Sequence, residues 1–245
     1  MDAEAYRQFV ELEDRHWWFA GRRAIFAALL ERELGNRRDL RILDAGCGAG
    51  GMLGLLSRFG AVRGIDTSEA MVAVCRERGF ADVAVRSATL PLGGPYDLVT
   101  LFDTIEHVDA DELVLQRCRE ALVPGGLVIV TVPAYQFLYA NNDRVVHHRR
   151  RYTARALRRK LVEAGLEPVH VTYFNAALFP VILPVVLLKK LHERLVDPGE
   201  RTNLTHVPPG PLNRLLAAIM SAERHLVTRG ELPFGHSLAA LARRS

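Results

Sequence analysis

The residues of this sequence best suited to chemistry fall in stretches that each follow a short apolar run. The first is RILDAGCGAGG, Arg41 to Gly51, where Asp44 ends the apolar run and glycines follow. Glycines at the carboxyl end of a strand let the chain pivot, remove side chains that would obstruct a ligand, and allow a helix to start close by. Asp66, which ends the run VRGID about 20 residues on, stands where an acid can accept from ribose hydroxyls. The next stretch, FDTIEH, puts Asp103, Glu106 and His107 around one helical turn, with Asp103 and His107 on one face. A histidine there could take a proton from a hydroxyl or amine near neutrality, or Glu106 and His107 could simply fix the loop beneath a ligand. The last, NNDRVVHHRRRY, crowds Asp143, His147, His148, Arg150, Arg151 and Tyr152 together. It is either a solvated charge run or a loop that orients an anionic acceptor by bidentate arginine contacts, with His148 as base. His147 and His148 are adjacent and point apart, so no metal site is expected from them.

Alternating strands and helices must position these residues. Strands are expected at 41–45, 62–66, 83–86, 97–102, 127–132 and 167–174, with amphipathic helices at 68–78, 111–122 and 153–164 between them. This alternation predicts an α/β fold with a doubly wound, mostly parallel sheet. A seventh strand is expected only at Ser237–Ala242, which makes 175–234 an insertion before the last strand, read as a helical cap over the carboxyl edge. Within it, Phe174 to Leu188 carries no charge and Lys189 and Lys190 follow. The segment falls short of the about 20 apolar residues that span a bilayer, and Pro180 and Pro184 interrupt it. It reads as a buried cap helix, an interfacial segment serving a lipid-like substrate, or an oligomer surface.

With 245 residues, 49% of them hydrophobic, the chain can bury the core of one α/β domain. The net charge of +4 comes from bases spread singly and offset by 28 acids, a balance too mild to indicate nucleic acid. Cys47, Cys75 and Cys118 show no CxxC spacing, and no secretory signal is read ahead of the domain. A reduced, cytoplasmic compartment is therefore expected, with peripheral membrane contact through 174–190 left open.

LDAGCGAG, GIDTSEAMV, YDLVTLFDTIEHV and LVPGGLVIVTVP, in this order, resemble the motifs of class I S-adenosylmethionine (SAM)-dependent methyltransferases over about Arg41 to Phe174. The resemblance implies a seven-stranded Rossmann-like sheet that binds SAM at the carboxyl ends of its first strands. The backbone of Ala45, Gly46, Cys47, Gly48 and Gly50 would cradle its amino-acid part, with Asp44 near the ammonium. Asp66 would take both ribose hydroxyls, with Thr67 and Met71 beside it. Ser87 and Ala88 replace the usual acid at the adenine, and Phe102, Asp103 and His107 would complete the pocket. The leader HWWFAGRR and the loop around His148 are similar to a type 11/12-like subgroup with an HWWFxGRR leader and a G-H-x-R-R-Y stretch, in which His147 replaces the glycine. There the leader closes over SAM, which would bring Trp18 to the sulfonium and Arg22 to the carboxylate; alternatively the aromatics pack on the sheet flank.

The ranges expected are a helical leader at 1–40, a SAM-binding core at 41–174, the cap at 175–234 and the last strand at 235–245. The acceptor would meet Tyr135, Asp143, His148, Arg150, Arg151, Tyr152, Tyr173 and Asn175. Gly46, Gly48 and Gly51 also spell the dinucleotide fingerprint, yet Asp44 would oppose a pyrophosphate and no Y-x-x-x-K pair occurs. The expected reaction is in-line methyl transfer from SAM to a small molecule, foremost an oxygen of a secondary metabolite or a glycosylated or lipid-like compound. S-adenosylhomocysteine (SAH) would be left, a histidine would act as base, and no metal would take part. A SAM-dependent protein without methyl transfer is the alternative, and an NAD-dependent oxidoreductase a distant one.

Overall fold

The computed structural model describes residue 10 and residues 12–193 and 207–245. The expected leader and cap ranges extend over 1–9, 11 and 194–206, which lie outside the described residues. Apolar runs bounded by glycines become strands β1 (Leu40–Ala45), β2 (Gly60–Asp66), β3 (Val83–Val85), β4 (Tyr96–Phe102), β5 (Leu122–Pro133), β6 (Leu166–Phe174) and β7 (Ser237–Arg244). They form one sheet in the order β3-β2-β1-β4-β5-β7-β6. β1 to β5 pair in parallel, and β7 runs antiparallel between β5 and β6. The seventh strand thus lies where the sequence predicts it. Because β1 lies between β2 and β4, the strand order reverses there, which opens a crevice at its carboxyl end.

Alternation along β1 divides the core between two faces. Leu40 and Ile42 meet Ile25, Phe26, Leu29 and Leu30 of helix α1 (Trp17–Leu34), and Leu43 faces a cluster built on Val114, Leu115, Cys118, Leu157 and Leu161. Those residues belong to the helices at Asp111–Ala121 and Ala154–Glu163. Local chemistry sets the helix ends: the Ser68 hydroxyl accepts from Met71 N at 3.3 Å ahead of Glu69–Glu77, and Thr153 accepts from Ala156 N at 3.2 Å.

The insertion divides. Its helix at Gly210–Ala222 lies on the sheet flank against α1, where Met220 is fully buried and Asn213 Oδ1 accepts from Trp17 N at 2.9 Å. This half does not cover the carboxyl edge as the sequence reading expects, because its apolar face finds the leader helix instead. The helix at Phe179–His192 does stand at that edge, with Phe179 stacked on Tyr135 and Glu193 accepting from Asn141 N at 3.0 Å. It is not the buried helix of the first reading, since Val181 and Leu188 are 68% and 67% exposed. No helix among the described residues is long and apolar enough to cross a membrane.

Candidate active site

At the carboxyl end of β1 the chain turns on Gly46, Gly48 and Gly50, all at positive φ. Gly46 N and Cys47 N donate to Ile65 O at 2.7 and 3.0 Å, which ties the turn to β2. Asp66 spans the same two segments, accepting from Gly48 N at 2.9 Å and Ser68 N at 2.8 Å. Asp44 is buried and accepts from the Thr100 hydroxyl of β4 at 2.6 Å. Burial raises its pKa to about 7; the Thr100 hydrogen bond opposes the rise, and the charges of Asp66 and Glu13 add to it.

Glu13 is the residue that sequence reasoning missed here. Its carboxylate lies so close to Gly51 that a Cβ there would stand 2.0 Å from it, so a larger residue would displace the Glu13 carboxylate from this place. Arg78 binds Glu13 at 2.9 Å, Asp14 at 3.1 Å, Ala49 O at 2.9 Å and Val10 O at 3.2 Å, which pins the leader to the turn. Three carboxylates therefore converge on one glycine-lined crevice. Such a crevice favours a cationic ligand over a pyrophosphate.

Other residues expected at this pocket have different surroundings. Met71 is buried on its helix and Thr67 is exposed. Ser87 engages its hydroxyl with Thr89 at 2.8 Å, and Ala88 is buried in the core. Phe102 stacks on Phe26 at 5.0 Å, likewise in the core. Trp18 stacks on Phe174 at 6.3 Å and meets His236 edge-on, so it covers the ends of β6 and β7, and the cation over its ring is Arg22. Arg22 in turn pairs with Asp103 at 2.5 Å. Trp17 and Trp18 thus pack against the core cluster on the α1 side of the sheet.

A second polar group gathers at the ends of β4 and β5. Asp103 takes φ 50° and accepts from the Thr131 hydroxyl at 3.1 Å. Buried Asp143 accepts from Arg151 Nε at 2.8 Å and Arg151 Nη2 at 3.0 Å, and Ala140 N donates to it at 2.9 Å. His148 Nδ1 faces the same carboxylate at 2.8 Å. Burial disfavours its charge, yet the His148 and Arg151 hydrogen bonds hold its pKa down to about 2. His148 and His107 meet edge-on with centroids 4.7 Å apart. Desolvation, with His148 next, lowers the His107 pKa. His236, absent from the sequence-derived set, carries a buried Nδ1 with no hydrogen-bond partner among the described residues, and burial followed by the Arg151 charge lowers its pKa to about 4.

The RRY stretch divides by side. Arg150 reaches Asp111 at 3.2 Å and Asp109 O at 3.1 Å, and buried Tyr152 donates to Asp111 at 2.7 Å. Both hold the start of the Asp111–Ala121 helix, and of the three only Arg151 turns to Asp143. The reason is the extended backbone, bridged to Ala134, in which alternate side chains face opposite ways. Tyr135 stacks on Tyr173 at 5.1 Å, and Asn175 is fully buried, with neither side-chain polar atom hydrogen-bonded among the described residues.

A family model described as a methyltransferase domain matches residues 18–171. No curated protein matches the sequence. Among solved structures, a SAM-dependent methyltransferase from Archaeoglobus fulgidus is 19% identical, with a TM-score of 0.58 over 96% of this chain and 98% of that one. The [4+2]-cyclase SpnF is 20% identical, with a TM-score of 0.57 over 91% and 81%. Phosphoethanolamine N-methyltransferase 2 from Haemonchus contortus, solved with SAM, is 22% identical, with a TM-score of 0.56 over 89% of this chain and 51% of that one. The likenesses share the fold, and the matched family covers more than half of the sequence: the chain belongs to the methyltransferase domain family.

Proposed function

We propose that the protein transfers a methyl group from SAM to an oxygen of a small-molecule acceptor. The observation that carries this reading is the convergence of Asp44, Asp66 and Glu13 on the glycine turn, with the Asp44 carboxyl pushed to about 7 by burial and by its two acidic neighbours. Bound SAM supplies an electrophilic methyl on a sulfonium. Asp44 holds the ammonium side of the ligand, and Asp66, on the adjoining β2, accepts from the ribose hydroxyls. A cation there lowers the cost of ionising Asp44, whereas a pyrophosphate would raise it.

The acceptor enters between the ends of β4, β5 and β6, where Tyr135, Tyr173 and Asn175 line one side and the Asp143–Arg151–His148 group another. Displacement at a sulfonium methyl needs alignment above all, with a base where the nucleophile is a hydroxyl. His148 serves as that base: Asp143 fixes its Nδ1 side and leaves Nε2 facing the cluster. The exposed apolar side chains of Phe179–His192, among them Val181, Val185, Leu188 and Leu191, favour an apolar acceptor taken up at a lipid surface. Cosedimentation with anionic vesicles, lost on Leu188→Glu, supports that part.

The deciding experiment is calorimetric titration with SAM, SAH and NAD in detergent-free buffer. Micromolar SAM and SAH binding without NAD binding is expected, and binding of NAD alone would overturn the reading. The fold also occurs in a [4+2]-cyclase, which favours a second reading in which SAM stays unconsumed. Intact SAM after turnover would select that reading.

A further inference from the structure

Glu106 has no use in the scheme above, and its surroundings are unusual. It lies in the 3-10 turn Ile105–His107, fully buried, and neither carboxylate oxygen has a hydrogen-bond partner among the described residues. His107 and His148 stand beside it, and one donor atom from each of the three lies within 4.8 Å of the others. His148 Nε2 is 3.9 Å from Glu106 Oε1, too far for a hydrogen bond. A tetrahedral site with bonds of about 2.0–2.1 Å has edges of roughly 3.3 Å, so small side-chain rotations would close this group on an ion.

The outer contacts suit the same purpose. His148 places Nδ1 on the Asp143 carboxylate at 2.8 Å, which fixes Nε2 as the lone-pair nitrogen. Metal-ligating histidines are held in this way. Arg149 N donates to Glu106 O at 2.6 Å, and Tyr139 donates to His148 O at 2.7 Å, so the turn and the loop that carry the donors are tied together. His107 is exposed, which leaves a route for an ion from solvent. Adjacency of His147 and His148 excludes a site made from that pair; the fold instead brings His148 to Glu106 and His107, far earlier in the chain.

We propose that Glu106, His107 and His148 bind one divalent transition-metal ion of the zinc type, with a coordination position left open. Two imidazoles and one carboxylate suit such an ion better than magnesium, which prefers oxygen ligands. The open position would take an acceptor hydroxyl and ease loss of its proton to solvent. This use rests on the methyltransferase reading, whereas ion binding does not. With the ion in place, His148 acts as a ligand, and the base function attributed to it passes to the ion.

The test is a Zn2+ titration of the chelator-stripped full chain against a chromophoric indicator, with Co2+ absorption as a report on geometry. One Zn2+ per chain and visible Co2+ d–d bands are expected. Glu106→Gln and His148→Ala should each weaken Zn2+ binding by ~10-fold or more, and Zn2+ should raise the melting temperature of the native chain but not of either variant. Glu106→Gln is nearly isosteric, and its metal-free melting curve reports whether it folds. Absence of zinc uptake by the native chain overturns the proposal. So does binding by Glu106→Gln as tight as native, which would mean that exposed histidines alone capture the ion. A chain that takes up Zn2+ yet fails to bind SAM would overturn the functional reading above and leave the metal site standing.

Discussion

Thr100 donates its hydroxyl to the Asp44 carboxylate across 2.6 Å, joining β4 to β1 beneath the glycine turn. The bond only partly offsets burial, which together with Asp66 and Glu13 raises the Asp44 pKa to about 7 from 3.8. A carboxyl whose folded pKa is raised adds stability below its unfolded pKa and loses it as pH rises through the folded value. The ligand-free protein should therefore lose stability between pH ~4 and pH ~7. Cationic SAM should bind the ionised form, so its affinity should climb by up to about tenfold per pH unit toward 7 and then level off. Calorimetry in buffers of different ionisation enthalpy should show proton release below pH ~7. Asp44→Asn should flatten both profiles; an unchanged pH profile in that variant would remove Asp44 from the account.

Asp66 and His148 divide the work between the two halves of the site. Asp66 receives the backbone hydrogen bonds of Gly48 and Ser68, so Asp66→Ala loosens the turn as well as removing the ribose acceptor. SAM affinity should fall by about 100-fold or more, as expected for the loss of charge-assisted hydrogen bonds. His148→Ala should lower turnover by about 100-fold or more and leave the SAM dissociation constant within a factor of a few. Equal loss of SAM affinity in both variants would sink this division.

His147 stands at φ 62°, where the resembling G-H-x-R-R-Y stretch has glycine. A non-glycine residue in the left-handed region costs roughly 1–2 kcal/mol, while the greater freedom of glycine in the unfolded chain returns about 0.5–1 kcal/mol of that. His147→Gly should thus raise stability by up to about 1 kcal/mol in urea melts. A destabilised variant would show that the His147 side chain makes a contact of greater worth than its backbone strain.

The strands and their caps are legible because short continuous apolar runs, helix-capping Ser68 and Thr153, and stopping glycines are local signals. Asp44, Asp66 and the glycine turn share that legibility, since one strand–turn–helix unit presents them. Glu13, Thr100 and His236 are not legible in this way, because each acts on a residue far along the chain and nothing local marks it. The RRY stretch shows the opposite failure. Its letters match a motif, but the extended backbone sends Arg150 and Tyr152 to Asp111 and only Arg151 to the site. Tyr152→Phe should accordingly cost about 1 kcal/mol of stability with kcat/KM unchanged, and a fall in kcat/KM would restore Tyr152 to the acceptor site.

The glycine of the leader HWWFAGRR finds its reason in the insertion. A Cβ at Gly21 would stand 2.6 Å from Met220 Cγ, on the buried contact between α1 and the helix at Gly210–Ala222. Overpacking at such a contact costs roughly 1–3 kcal/mol when the neighbour cannot yield. Met220 can rotate but is fully buried in the same cluster as Phe26 and Phe174, so it has little room. Gly21→Ala should therefore destabilise the chain, and Met220→Ala alone should also do so by leaving a cavity. In the double variant the new methyl occupies part of that cavity, and the combined loss should be less than the sum of the single losses by 0.5 kcal/mol or more. Additive losses would mean that Gly21 and Met220 do not share the contact, and the close packing of leader and insertion would not be what requires a glycine there.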